Sequence, residues 1–115
     1  MPLDALQSAE TIVALEVFLD KRRPPEHIRH QLDLSYKIEN QSIIIFTIRP
    51  HFMNKEDRIE SPIAKTTWVK IQNIWKIYWM RSDLKWHGYN PKPKVKTIEE
   101  FLNIVDKDAH GCFLG

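Results

Sequence analysis

The sequence predicts an α+β domain, because the spacing of its apolar residues changes from helical to strand-like and back again. Apolar residues recur at helical intervals near both ends of the chain. Between residues 32 and 89 they alternate with polar residues or form β-branched runs, and short turn sequences separate the runs. We therefore expect an N-terminal helix, a five-stranded antiparallel meander and a C-terminal helix, with both helices on one face of the sheet.

The first predicted helix runs from Leu3 to Arg22. Asp4 suits its N-cap, with Gln7 three residues later, and Pro24-Pro25 ends it. Apolar side chains surround much of this helix, so we expect neighbouring elements to cover it well. One stripe comprises Leu6, Val13 and Val17, and it is widened by Ile12, Leu15 and Leu19.

Five predicted strands follow, each bounded by turn residues. The second, Ser42 to Arg49, has apolar residues on both faces and is expected to be a central, doubly covered strand. A polar loop, His51 to Ser61, precedes the third strand. The others are the Leu34–Ile38 region, Ile63 to Ile71, Ile74 to Arg81 and Leu84 to Tyr89, with tight turns at Asn40-Gln41, Gln72-Asn73 and Ser82-Asp83.

The second helix is predicted near the end of the chain. Asn90-Pro91-Lys92-Pro93 is first expected to leave the sheet as an extended basic connection. Thr97 and Glu100 then form a capping box, and His110-Gly111 ends the helix. Its apolar stripe comprises Ile98, Phe101, Leu102 and Val105.

Length and composition limit the class of protein. A chain of 115 residues indicates one domain, residues 1–115. No basic leader precedes the first apolar run, and the longest such run, Ile43 to Phe46, is far too short to span a membrane. Cys112 is the single cysteine, which excludes an internal disulfide. We expect a cytoplasmic protein that does not associate with membranes.

Positive charge is concentrated in one part of the chain. The net charge is only +2, but residues 65–96 contain eight Lys or Arg against a single acidic residue, Asp83. This window includes Ile74 to Tyr89, which holds three of the four tryptophans and two of the three tyrosines. Basic side chains interleaved with aromatic ones are typical of surfaces that bind polyanions. A solvated sheet face balanced by acidic residues elsewhere explains the same pattern.

A two-residue turn at Ser82-Asp83 would pair Trp79 with Trp86 and Tyr78 with His87. The tryptophan pair would then form the centre of the core face, because side chains alternate along a strand. The opposite face is the candidate binding surface. It comprises Lys76, Tyr78, Met80, Lys85, His87 and Tyr89, and the basic connection adds Lys92, Lys94 and Lys96.

The first functional hypothesis is a non-enzymatic binding module for nucleic acid or another anionic partner. Tyr78, His87 and Tyr89 would stack on bases or sugars, while the lysines would meet phosphates. The sequence contains no RNP consensus, and an isoelectric point of 8.7 is low for a nucleic-acid-binding protein.

Two alternatives use the same hairpin. A small hydrolase or nuclease would be centred on Asp83 and His87, with Arg81 in the cluster and Tyr78 as a helper. A protein-interaction domain would instead dock its partner through Tyr78 and Met80, with little response to salt.

No metal or cofactor is expected. His27 and His30 could face one ion, but no thiolate or carboxylate lies at a ligand spacing nearby. Cys112 is too close in sequence to His110 for an in-line catalytic pair, so it is expected to be a small buried apolar residue. The open meander leaves sheet edges through which a homodimer could form.

Several motifs along the chain form a specific pattern: Trp75-Lys76, Tyr78-Trp79, Arg81, Asp83 to His87, Tyr89, Pro91-Lys92-Pro93 and Gly111-Cys112-Phe113. This pattern resembles a bacterial family of domains of unknown function, numbered three thousand and twenty-four. The resemblance extends almost from end to end of the chain. It implies a small bacterial, cytoplasmic protein, and it implies no activity, cofactor or catalytic residue.

Overall fold

The computed structural model describes residues 3–114 and has the predicted α+β architecture. Five strands form one antiparallel sheet in the meander order β1-β2-β3-β4-β5, as expected, and a sixth short strand extends it. The helices are α1 (Ala5–Arg22) and α2 (Ile98–Lys107), with a 3-10 turn at Glu26–Ile28; the strands are β1 (Asp33–Glu39), β2 (Ser42–Pro50), β3 (Arg58–Val69), β4 (Ile74–Met80), β5 (Trp86–Gly88) and β6 (Lys94–Val95).

The core lies between the two helices and one face of the sheet. Leu15 of α1, Ile43 of β2 and Phe101 of α2 are completely shielded from solvent. The predicted stripe of α2 is confirmed, since its four members are all buried. Strand β2 is covered on both faces as predicted, because Ile44 and Phe46 are buried on the face that points away from the helices.

The covered face of α1 differs from the prediction. Leu6 is 71% exposed, and Val13 and Val17 are each 64% exposed. The buried residues are instead Thr11, Leu15 and Phe18. At 100° per residue, these buried residues lie on the side of the helix opposite Leu6, Val13 and Val17. This orientation places Leu15 and Phe18, which are larger than valine, against the sheet. The expectation that the whole helix is well covered is therefore wrong.

Strand β3 begins at Arg58, inside the segment predicted to be a loop. Arg58 is the partner of Pro50, and the ladder continues to Ser42, the partner of Thr67. A bulge lies in β3 opposite Ile45 and Phe46 of β2, because these residues pair with Ala64 and Pro62 and leave Ile63 as the extra residue. Proline is accommodated at bulges because it cannot donate to the ladder. The loop is consequently shortened to residues 51–57.

The sixth strand was also not predicted, because two prolines precede it. Instead of leaving the sheet, the chain returns to the same edge of β4 that β5 occupies. The carbonyl of Pro93 accepts a hydrogen bond of 3.0 Å from the Ile77 amide, and Val95 then pairs with Trp75. Proline lacks a donor but keeps its acceptor, so it can occupy this position.

Both predicted helix starts are confirmed, and one helix end is not. The Asp4 carboxylate accepts from the Gln7 amide at 2.8 Å, and the Thr97 hydroxyl accepts from the Glu100 amide at 3.2 Å. Helix α2 ends at Asp108, which has a left-handed φ of 42°, and not at His110-Gly111. The side chain of Asp108 then accepts from the amides of residues 113 and 114.

Candidate anion-binding face

The β4–β5 hairpin positions the candidate site, and its register differs from the predicted one by one residue. Tyr78 pairs with Gly88, Trp79 with His87, and Met80 with Trp86. The connection is a three-residue loop, residues 82–84, because the Arg81 amide donates to the Lys85 carbonyl at 3.2 Å. The predicted two-residue turn and the Trp79–Trp86 pair are therefore wrong.

Two local features produce this longer loop. Leu84 adopts a left-handed φ of 61°, and its amide donates to the Arg81 carbonyl at 2.9 Å. The Asp83 carboxylate accepts from the Lys85 amide at 3.0 Å, which fixes the middle of the loop. A turn followed by a left-handed residue is the usual geometry of three-residue hairpin loops.

A shift of one residue moves every β5 side chain to the opposite face of the sheet. His87 lies opposite Trp79, on the side of the helices. The Tyr89 amide donates to the Ile77 carbonyl, and the Tyr89 ring is only 3% exposed and packs 5.0 Å from the Phe113 ring. Burial raises the pKa of the Tyr89 hydroxyl. His87 and Tyr89 therefore do not share a face with Tyr78, which corrects the predicted surface.

Trp86 takes their place on the face that points away from the helices. The Lys65 ammonium lies 5.7 Å from the centroid of the Tyr78 ring and 5.8 Å from that of the Trp86 ring. Lys65 is also the direct cross-strand partner of Tyr78. We call the set Lys65, Lys76, Tyr78, Trp86 and Lys94 the outer face.

Two lysines of the outer face stand directly opposite each other across neighbouring strands. Lys76 of β4 pairs with Lys94 of β6, and Lys76 also pairs with Thr67 on its other side. Thr67 in turn pairs with Ser42, and the two hydroxyl oxygens are 2.8 Å apart. Two hydroxyl-bearing residues and two lysines therefore occupy successive positions across four strands. Like charges in directly opposite positions repel.

Among residues 3–114, Lys37 is the lysine on this side of the sheet that acidic side chains neutralise. Lys37 lies 3.7 Å from Glu39 and 4.0 Å from Glu60, and its ammonium covers the Phe46 ring at 5.7 Å. Within residues 3–114, no ion pair involves Lys65, Lys76 or Lys94. The outer face thus combines two aromatic rings with three lysines that have no acidic partner in the described part of the chain.

The structure does not place the other predicted lysines on this face, which corrects the prediction; Lys96 lines a cavity with Glu10 and Glu99 on the side of the helices. Lys85 is exposed at the end of the hairpin loop, and Lys92 is exposed in the connection between β5 and β6. The Lys92 amide donates to the Tyr89 carbonyl at 3.2 Å, which gives this connection a defined turn. Lys65 is a residue of this face that the sequence prediction missed, and Trp86, which was assigned to the core face, is another. Lys65 was counted in the basic window, but its position on the outer face depends on the pairing of β3 with β4.

The predicted Asp83, His87 and Arg81 cluster is brought together at the end of the hairpin. The Asp83 carboxylate and the His87 imidazole are 2.8 Å apart, and this hydrogen bond holds the pKa of Asp83 below its usual range. The Arg81 guanidinium lies 5.4 Å from the centroid of the Trp79 ring. The Asp83 and His87 side chains are 47% and 35% exposed, so water reaches both. An Asp that also caps the loop explains this arrangement without catalysis.

The described part of the chain shows no arrangement typical of a metal site or of a reactive thiol. In residues 3–114, no group of three or more His, Cys, Asp and Glu side chains could hold a metal ion. The Cys112 thiol donates to the His110 carbonyl at 3.8 Å, and burial raises its pKa. A raised pKa favours the thiol over the nucleophilic thiolate. No helix within residues 3–114 is long and apolar enough to cross a membrane.

The fold and the outer face define a small α+β domain with an open antiparallel sheet. Residues 3–115 match the family described as Domain of unknown function (DUF3024), and the chain belongs to that family. No curated protein and no solved structure matches the chain.

Proposed function

We propose that this protein is a non-enzymatic binding module for a polyanion, in the first place single-stranded nucleic acid, and that the outer face is its binding surface. The observation that supports this most strongly is the cross-strand pair of Lys76 and Lys94. Repulsion between two lysines at directly opposite strand positions is relieved when an anionic group binds both side chains. Lys65 adds a third positive charge on the same face.

The aromatic rings supply the second part of the proposed surface. Tyr78 and Trp86 are half-buried, and both lie beneath the ammonium of Lys65. A base could stack on either ring if the flexible Lys65 side chain swings aside to meet a phosphate. Stacking on aromatic rings tolerates different bases, and it contributes about 1–3 kcal/mol for each base. We therefore propose binding with little sequence preference.

The proposal is tested with fluorescein-labelled single-stranded DNA and RNA oligomers of about 20 nucleotides, which exceed the site size of a small sheet domain. Fluorescence anisotropy at low salt is expected to show micromolar binding by the wild-type protein. The double variant Tyr78→Ala/Trp86→Ala is expected to bind about tenfold more weakly or worse, because it removes both stacking platforms.

Phe52 supplies a matched control. It is 84% exposed in the loop between β2 and β3, so Phe52→Ala removes an aromatic ring without touching the outer face. Phe52→Ala is expected to bind like the wild type. Undiminished binding by a folded Tyr78→Ala/Trp86→Ala protein, or no binding by the wild type at low salt, would contradict the proposal.

A protein partner is the second candidate for the outer face. It is favoured by the apolar side chain of Met80, which pairs with Trp86 on the same side of the sheet. Such docking would weaken on Met80→Ser and would respond little to salt. Polyanion binding shows the opposite behaviour, so the two candidates are distinguished by the salt dependence of affinity.

A hydrolase or nuclease centred on Asp83 and His87 is the third candidate, and it is supported by the 2.8 Å contact between the two side chains. It requires that Asp83→Asn and His87→Ala both abolish a measurable cleavage of labelled oligomers. The proposed setting for all three candidates is the bacterial cytoplasm, which the family resemblance and the single cysteine support.

A further inference from the structure

The helical side of the molecule carries an apolar groove that the proposed function does not use. It runs between α1 and α2 and has a volume of about 580 Å³. Val13 and Val17 form its α1 wall, and Leu102 contributes from α2. Leu6, which is 71% exposed, lies seven residues before Val13 on the same side of α1 and extends the apolar surface beyond the groove. Solvent-exposed apolar side chains in such a contiguous arrangement mark interaction sites.

The dimensions of the groove fit one short helix. Its α1 wall extends from Ala9 to Lys21, which corresponds to about 18 Å at a rise of 1.5 Å per residue. This is about three helical turns. An amphipathic helix binds such a groove by laying its apolar face along it, with anchors at i, i+3, i+4 and i+7.

The charged residues around the groove indicate the chemistry of the occupant. Glu10, Glu99 and Asp106 line it, against a single basic residue, Lys21. Lys21 is itself neutralised, since its ammonium lies 3.5 Å from Asp106. Glu10 and Glu99 take part in no ion pair within residues 3–114. The charged lining residues left without an ion pair in residues 3–114 are therefore Glu10 and Glu99, and Lys96 lines an adjoining cavity with both of them.

We propose that this groove binds a basic amphipathic helix of a partner protein. Leucine-like side chains of that helix would cover Val13 and Val17, and its Lys or Arg residues would meet Glu10 and Glu99. A second copy of the chain fits less well. Pairing α1 with its own copy would bring the same acidic rims together, and like charges at an interface disfavour association.

Two designed peptides of about 16 residues test the charge requirement, because this length forms about four helical turns. Both carry the same leucine positions on one face, and their polar positions are all Lys in one peptide and all Glu in the other. Fluorescence anisotropy of the labelled peptides is expected to show that the wild-type protein binds the Lys peptide at least about tenfold more tightly than the Glu peptide.

Variants then locate the binding site. Val13→Ser/Val17→Ser keeps the charge and removes the apolar wall, so it is expected to weaken binding of the Lys peptide about tenfold. Glu10→Gln/Glu99→Gln is expected to weaken it in a salt-sensitive manner. Met53→Ser/Leu84→Ser removes two side chains that are 79% and 81% exposed in loops of the sheet and do not line the groove, and it is expected to bind like the wild type.

Three results would overturn the proposal: no binding of the Lys peptide, equal binding of both peptides, or binding that neither groove variant weakens. A dimer in sedimentation that Val13→Ser/Val17→Ser converts to a monomer would also overturn it, since a second copy would then occupy the groove. These outcomes are independent of oligonucleotide binding by the outer face.

Discussion

Leu84 has a backbone conformation that its side chain does not favour. It is left-handed, with φ 61°, and its side chain is 81% exposed, so little packing offsets the strain. The left-handed region costs an L-residue about 1–2 kcal/mol, whereas glycine enters it freely. We predict that Leu84→Gly raises the free energy of unfolding by about 0.5–1 kcal/mol in urea titrations. Leu84→Ala keeps the strained Cβ and serves as the control; a Gly variant no more stable than Leu84→Ala would contradict the prediction.

Tyr36 links stability to alkaline pH. Burial, together with the hydrogen bond of 2.8 Å that its hydroxyl donates to Glu16, raises the pKa of Tyr36 to about 12. The folded pKa is above the unfolded value of about 10, so the stabilisation is present below about pH 10 and is lost as the pH rises towards 12. We predict that Tyr36→Phe has a shallower alkaline loss of stability than the wild type.

Urea unfolding followed between neutral and strongly alkaline pH measures this effect, and absorbance at the phenolate band reports the ionisation directly. Some alkaline loss is expected to persist in Tyr36→Phe, because the pKa of Tyr89 is also raised by burial. Identical pH profiles for the two proteins would contradict the assignment.

At the scale of elements, helix α1 has one face buried against the sheet and another face exposed to solvent. Leu15 is fully buried against the sheet, whereas Val17 is 64% exposed two positions later. We predict that Leu15→Ala lowers the free energy of unfolding by about 2–5 kcal/mol, whereas Val17→Ala changes it by about 0.5 kcal/mol or less. Chemical denaturation measures both. Comparable losses for the two variants would mean that α1 is rotated about its axis relative to the structure described.

The presence and type of most elements could be predicted from the sequence, because periodicity and caps are local signals. The Asp4 and Thr97 caps and the doubly covered β2 all match. The face of α1 could not be chosen, since apolar residues surround that helix and only packing against the sheet decides between them.

The wrong register predicted for the β4–β5 hairpin is the error that changed the residues of the candidate site. Nothing in the Ser82-Asp83-Leu84 sequence marks Leu84 as left-handed, because leucine rarely adopts that conformation. A two-residue turn was therefore the simpler prediction, and it placed Trp86 and His87 on the wrong faces. Lys76 and Tyr78 share one face as predicted, because alternation along β4 does not depend on the turn, whereas Lys65 was missed.

At the scale of the whole molecule, the outer face and the groove differ in the charged side chains that lack an ion pair within residues 3–114. Lysines without acidic partners occupy the outer face of the sheet, while Glu10 and Glu99 border the groove between the helices. The net charge of +2 conceals this separation. Binding of an anionic partner on one side and a cationic helix on the other are therefore compatible within one domain.

Assembly through the sheet edges, the predicted route to a homodimer, stays a prediction. Strand β1 forms one outer edge with seven residues, and Lys37 lies on it. The other edge is divided between the short strands β5 and β6, with Pro91 and Pro93 between them. Short edges, prolines and lysines all oppose edge-to-edge pairing. Strand β1, with seven residues, is the longer of the two edges, so it is the edge that a dimer would use.

The salt dependence of oligonucleotide binding tests the central claim most directly. Released counterions give a slope of log affinity against log salt of about −0.7 for each phosphate contacted on a single strand. Lys76→Gln/Lys94→Gln is expected to reduce the slope by about 1.4, because two contacts are lost. The charge-matched control Lys21→Gln/Lys107→Gln lies on the helices and is expected to keep the wild-type slope. An unchanged slope in Lys76→Gln/Lys94→Gln would contradict the assignment of the outer face as the anion-binding surface.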